Sequence, residues 1–149
     1  MKLIPITPKS HGVAIDIKYA TTDNFTGKPI YARPGCYLLD EANILFRQAI
    51  DMAQIQGWRF LIFDTFRPSE AQFKMWAHTP DPNFLADPHR GSPHSRGVAI
   101  DLTLIETATG KILDMGTDFD AFTPLSSHGN IKVSKEAQEN RYHLLGLMT

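Results

Sequence analysis

Apolar residues come along this chain in short blocks set between proline- and glycine-rich stretches, and the period inside each block predicts its structure. From Val13 to Tyr19 apolar and polar residues alternate, which predicts a strand with one wet face, and Thr21 to Pro29 then supplies turn chemistry. Between Asp40 and about Gln56 the apolar positions recur at helical spacing, through Ala42, Leu45, Ala49 and Met52 or Ala53. This predicts a helix capped by Asp40 and stopped by Gly57. Trp58 to Phe63 is apolar except for Arg59, the pattern of a strand lying centrally in a sheet and under a helix. Ser69-Glu70-Ala71-Gln72 has the form of a capping box and opens a short helix to about Ala77. Residues 78 to 93 hold four prolines and little periodicity, so they form a long loop. Val98, Ile100, Leu102 and Leu104 then alternate with Gly97, Ala99, Asp101 and Thr103, predicting a strand that buries the first set. Glu106 to Lys111 reads as a hairpin turn returning through Ile112 and Leu113, and Asp114 to Asp120 as an acidic loop. Ser134 caps a last helix whose apolar stripe runs through Ala137, Leu144 or Leu145, and Met148.

Composition narrows the class. With 149 residues, 42% of them hydrophobic, the chain buries one core, and residues 1–149 are expected to form a single domain without repeats or linkers. A formal charge of -1 and a pI near 6.6 supply no general attraction to nucleic acid or to an anionic membrane. Cys36 is the only cysteine, which excludes an internal disulfide and a cysteine-based zinc site. The apolar patch at the N-terminus is broken by Pro5 and Pro8 and is too short for a signal-peptide core, so the expectation is a soluble, cytoplasmic protein.

Two places carry chemistry that packing does not explain. Asp101 is an acid inside an otherwise apolar run, and His94 lies seven residues before it, too far along an extended chain at roughly 3.3 Å per residue to share a ligand. A turn from Pro93 to Gly97 brings them together, with the small Gly97 and Ala99 leaving room over the strand. Imidazole and carboxylate converging on one point make a zinc half-site, and an ion pair of Asp101 with His94 or Arg96 is the plain alternative. Arg67 ends the Trp58–Phe63 strand just before Pro68, which holds it extended; it is either a partner for Asp64 or a surface residue, or a donor aimed into a cleft. His78 and His89 fall in no ligand pattern and read as solvated.

The pattern Ser-x-His-x-x-Gly-x-Ala-x-Asp, here Ser92, His94, Gly97, Ala99 and Asp101, resembles the zinc-binding signature of the D-Ala-D-Ala dipeptidases of the vancomycin-resistance type. These are relatives of the zinc D,D-carboxypeptidases and of the Hedgehog amino-terminal domain. The resemblance implies an α+β fold, a central mainly antiparallel sheet with helices packed against it. It also implies one zinc ion per chain, with His94 and Asp101 as ligands. By the same resemblance Arg67, in Phe66-Arg67-Pro68, is the transition-state arginine. Tyr19, in the segment Lys18-Tyr19-Ala20-Thr21, recognises the substrate's amino end, and Asp120, in Met115-Gly116-x-x-Phe119-Asp120, holds its ammonium group. Ser92 helps to orient the small zwitterion. The implied reaction is hydrolysis of D-Ala-D-Ala to D-alanine in cell-wall metabolism, whether in antibiotic resistance or in recycling.

In that family the third zinc ligand and the general base come from a Glu-x-x-His element, and no such element occurs in these 149 residues. Three expectations follow. The chain is shortened at its C-terminal end, or a piece has been cleaved from it, or another residue such as His128 or His143 stands in as ligand. A second functional reading is a non-catalytic relative with weak metal binding or an interaction role. The absence of a further strand would leave a sheet edge exposed and invite pairing with another copy.

Overall fold

The computed structural model describes residues 1–149 and shows an α+β chain with two small sheets and four helices. In chain order the elements are β1 (Leu3–Ile6), α1 (Pro8–His11), β2 (Ala14–Ile15), β3 (Cys36–Leu39), α2 (Asp40–Ile55), β4 (Trp58–Asp64), α3 (Ser69–His78), β5 (Asp101–Glu106) and α4 (Lys135–Met148). β1 and β3 form an antiparallel pair. In the other sheet β4 lies between β2, to which it runs parallel, and β5, to which it runs antiparallel, so the apolar run at 58–63 does occupy the centre. No helix is long and apolar enough to cross a membrane.

The core forms where α2 lies across β4. Phe46 and Phe60 meet with ring centroids 5.4 Å apart, and Ala49, Ile50, Ala53, Ile62 and Leu104 fill in around them. The buried face of α2 is therefore Asn43, Phe46, Ala49, Ile50 and Ala53, and the predicted stripe is rotated from it, since Leu45 is 66% exposed. Two apolar stripes compete on this helix, and the one carrying an aromatic ring removes more area from water.

Other expectations shift for equally local reasons. Of Val13–Tyr19 only Ala14 and Ile15 pair with β4. After Asp16 N–H donates to the Ile62 carbonyl (2.9 Å) the chain turns through a 3₁₀ helix, Lys18–Ala20, and buries Tyr19. The strand predicted from Val98 begins only at Asp101, and Val98 is exposed. Gly97 causes this: its carbonyl accepts from Leu39 N–H (2.8 Å), which draws the chain against β3, and its φ of 73° is left-handed. A Cβ there would sit 2.9 Å from Leu3 Cδ2 and 3.1 Å from the Leu39 nitrogen, so glycine is required for close approach rather than to make room for His94.

The hairpin after β5 forms as predicted, Glu106 N–H donating to Lys111 (2.8 Å) and Leu113 N–H to Leu104 (2.9 Å). The capping box at Ser69 does not form; Pro68 precedes α3 without a side-chain cap, and Gln72 turns inward. Ser134 does cap α4, its Oγ accepting from Ala137 N–H at 3.1 Å. The buried face of α4, however, is Ala137, Asn140 and Arg141, while Leu145 and Met148 are exposed. Asn140 donates to the Asp114 carbonyl (2.8 Å), and Arg141 to those of Met115 (2.7 Å), Ser127 (3.0 Å) and Leu125 (2.8 Å). A helix face that answers backbone carbonyls has to be polar.

Candidate metal and substrate site

At the end of the central sheet the register between β4 and β5 slips. Ile62 opposes Leu102, but Asp64 opposes Asp101, which leaves Phe63 as the extra residue of a bulge. A bulge bends its strand and redirects the side chains beside it, and here it delivers two carboxylates to one end of the sheet.

The turn after the long loop brings in the imidazole. Arg96 N–H donates to Ser92 (3.2 Å), Gly97 N–H to His94 (3.0 Å) and Val98 N–H to Pro93 (3.1 Å), while His94 N–H donates to Ser92 Oγ (3.2 Å). Arg67 N–H donates to the His94 carbonyl (3.1 Å), tying this turn to the end of β4. His94 Nδ1 lies 2.7 Å from the Thr65 carbonyl, which can only accept. Nδ1 therefore carries the proton and Nε2 keeps its lone pair. Nε2 stands 3.4 Å from Asp101 Oδ1. That is longer than a charge-assisted hydrogen bond, about 2.7–2.9 Å. Bonds of about 2.0–2.1 Å at a tetrahedral angle would separate two donors on one zinc ion by roughly 3.3–3.4 Å. The donor pair fits zinc. Burial by itself lowers the pKa of His94, and Asp101 outweighs it, so the net direction is upward.

Asp64 lies within the same group of ligand-type atoms, all within 4.8 Å of one another. It is not a third donor. Its Oδ1 accepts from Tyr31 hydroxyl (2.7 Å) and its Oδ2 from Arg67 Nε (3.0 Å) and Nη2 (2.7 Å). It also approaches His94 from the Nδ1 side, at 3.7 Å, away from Nε2. Burial raises the pKa of Asp64 against the pull of Arg67 and His94.

Arg67 is 4% exposed. Burial opposes its charge, but Asp64 beside it prevails and raises its pKa, so the guanidinium stays charged. Its Nη1 donates to Gln72 Oε1 (2.6 Å), its Nη2 lies 3.8 Å from Asp101 Oδ2, and its Cζ stands 5.1 Å from the centre of the Tyr19 ring. Pairing with Asp64 and facing the donor pair are thus both true of Arg67. Tyr19 donates its hydroxyl to the Asp120 carboxylate, 2.9 Å from Oδ1 and 2.8 Å from Oδ2. Burial, then Asp120, raises the pKa of Tyr19, which remains a phenol. Asp120 is the one non-glycine residue with left-handed backbone, φ 59°, and burial pushes its carboxyl up to about 6.

Tyr19, Arg67, Ser92, His94, Asp101 and Asp120 all line one cleft of about 1500 Å³. His128 lines it as well but lies outside the donor group, and His143 packs on Trp58, ring centroids 4.9 Å apart. Thr103, two residues past Asp101, also lines the cleft, and its Oγ1 is the one buried side-chain polar atom without a hydrogen-bond partner. Tyr31, Gln72 and Arg141 support this site without having been singled out for it in the sequence. Tyr31 reaches Asp64 33 positions away, Arg141 runs to backbone carbonyls, and Gln72 joins Arg67, five positions before it, to the Ala86 carbonyl; no spacing rule marks such partners.

A sheet end that carries an imidazole–carboxylate donor pair beside a buried, charged arginine is the setting of a metallopeptidase. The chain belongs to the D-ala-D-ala dipeptidase family (Peptidase_M15), which matches over residues 1–149. It is 43% identical over 135 residues to the D-alanyl-D-alanine dipeptidase of Escherichia coli (strain K12), covering 91% of this chain and 69% of that protein. To the D-alanyl-D-alanine dipeptidase of Enterococcus faecium it is 36% identical over 161 residues, covering 93% and 78%. The protein of the same name from Streptomyces coelicolor is 32% identical to it over 157 residues, with 92% and 78% covered.

Proposed function

We propose that this chain acts on D-Ala-D-Ala as a zinc-dependent dipeptidase, with His94 and Asp101 as zinc ligands. The observation that carries the reading is the 3.4 Å separation of His94 Nε2 and Asp101 Oδ1, with the His94 tautomer set by Thr65. Zinc bound there supplies Lewis-acid polarisation and a water of lowered pKa. The chain's own residues orient the substrate. Asp120, ionised above about pH 6, takes the ammonium group, and Tyr19 fixes the carboxylate that does so. Arg67 directs a permanent, planar set of donors at the oxygen of the scissile bond, where negative charge develops. Ser92 Oγ accepts from His94 N–H, which leaves its own proton free to donate to the substrate carboxylate.

One observation favours a second reading, a metal-binding relative without turnover. The third member of the donor group is Asp64, and both of its oxygens are engaged, Oδ1 by Tyr31 and Oδ2 by Arg67. Metal analysis and D-alanine release, measured on the purified chain with added zinc, separate the two. Release of D-alanine supports the dipeptidase; bound zinc without release supports the second reading. Failure to bind zinc removes both.

A further inference from the structure

Arg67 has two anchors, and they differ in kind. Both Nε and Nη2 donate to a single oxygen, Asp64 Oδ2, because Oδ1 is taken by Tyr31. Two donors on one acceptor atom form a pivot, whereas a fork on both carboxylate oxygens would hold the plane. The pivot leaves the guanidinium free to swing about Oδ2. A third point stops it: Nη1 donates to Gln72 Oε1 at 2.6 Å.

Gln72 is 1% exposed, and its other end is also engaged, Nε2 donating to the Ala86 carbonyl at 2.7 Å. Ala86 belongs to the long loop that runs on into Ser92 and His94, and it lines the same cleft. One amide therefore joins the guanidinium, α3 and the loop that delivers the imidazole. We infer that Gln72 is a positioning residue: through its carbonyl it holds the orientation of Arg67, and through its amide it holds residues 86–94 against that arginine. The geometry stands by itself, while its part in turnover rests on the dipeptidase reading. Glutamine suits both ends because its side chain offers a neutral acceptor and a donor on one rigid plane.

Two variants of the full chain separate the ends. Gln72→Leu keeps the volume and removes both hydrogen bonds, and Gln72→Glu keeps the acceptor for Arg67 but gives up the donor to Ala86. The first readout needs no activity: the guanidinium N–H resonances of Arg67, seen by nitrogen-15 NMR. They should be resolved and slowly exchanging in the wild type and in Q72E, and averaged in Q72L. Amide hydrogen exchange over residues 86–94 should quicken in both variants. In zinc-dependent hydrolysis of D-Ala-D-Ala, Q72L should lose roughly ten- to hundredfold in kcat with KM changed little, as expected for a misplaced transition-state donor. Q72E should recover most of that loss. Arg67 resonances unchanged in Q72L, or Q72E impaired as badly as Q72L in both NMR and kcat, would overturn the inference. If the wild type releases no D-alanine, the dipeptidase reading fails and the Arg67 resonances alone decide the role of Gln72. Should Q72L not fold, Gln72→Met, unbranched like glutamine, takes its place in every measurement.

Discussion

The Thr65 carbonyl accepts from His94 Nδ1 at 2.7 Å, so a backbone atom at the end of β4 decides which imidazole nitrogen faces Asp101. The contact spans 29 positions of the chain and makes the donor pair a property of how the loop docks on the sheet.

Zinc content tests that pair. The wild type is expected to hold one zinc per chain, and H94Q or D101N to lower zinc affinity by at least about tenfold, since each removes one of two donors. Equilibrium dialysis against zinc with elemental analysis measures it. Unchanged affinity in either variant would show that the 3.4 Å pair is only an ion pair.

Asp64 is expected to matter for stability. D64N leaves the Arg67 guanidinium buried without its counter-charge, and breaking a buried pair in this way costs about 3–5 kcal/mol. Because the loss comes from the stranded charge, the double variant D64N/R67M should be more stable than D64N alone. Urea unfolding of the three proteins decides this, and a double variant no better than the single one would contradict it.

Asp120 carries a pH signature. Burial raises its folded pKa to about 6 from the ordinary 3.8, so its protonated form contributes stability that is full below about pH 4 and lost as pH rises through about 6. D120N, which tolerates the left-handed backbone as aspartate does, is expected to melt higher than the wild type at pH 7.5. The gain should be on the order of 1–2 kcal/mol, reduced by the water that still reaches the carboxyl, and should vanish near pH 4. The same variant should lose affinity for D-Ala-D-Ala. Melting curves of the zinc-free proteins across this range check the sign; a gain that grows toward low pH would reverse it.

Gly97 is a backbone requirement. G97A places a Cβ 3.1 Å from the Leu39 nitrogen on left-handed backbone, so a loss of about 1–3 kcal/mol is expected. His94 is tied to Gly97 by their turn, and zinc affinity should fall with stability. Chemical denaturation and zinc titration of G97A read the two effects, and full stability would mean that the turn has another way to form.

By itself the sequence determined what depends on a few neighbouring residues. The central strand at 58–63, the helix from Asp40 (though Leu39, without a side-chain cap, precedes it where Asp40 was expected to cap), the Ser134 cap, the hairpin after Glu106 and the turn that carries His94 all follow from backbone period and turn chemistry. The pairing of His94 with Asp101 could be suspected from their spacing and from the motif around them. Only the tertiary structure decided which face of α2 and α4 turns inward, that β5 starts at Asp101, and that a bulge sets Asp64 opposite it. It also turned Gln72 from a helix cap into a brace for Arg67. The physical reason is that period is set by geometry within one or two turns of chain. Facing, register and the partners of buried polar groups are settled by competition among segments far apart in sequence, each seeking to bury apolar area without stranding a hydrogen bond.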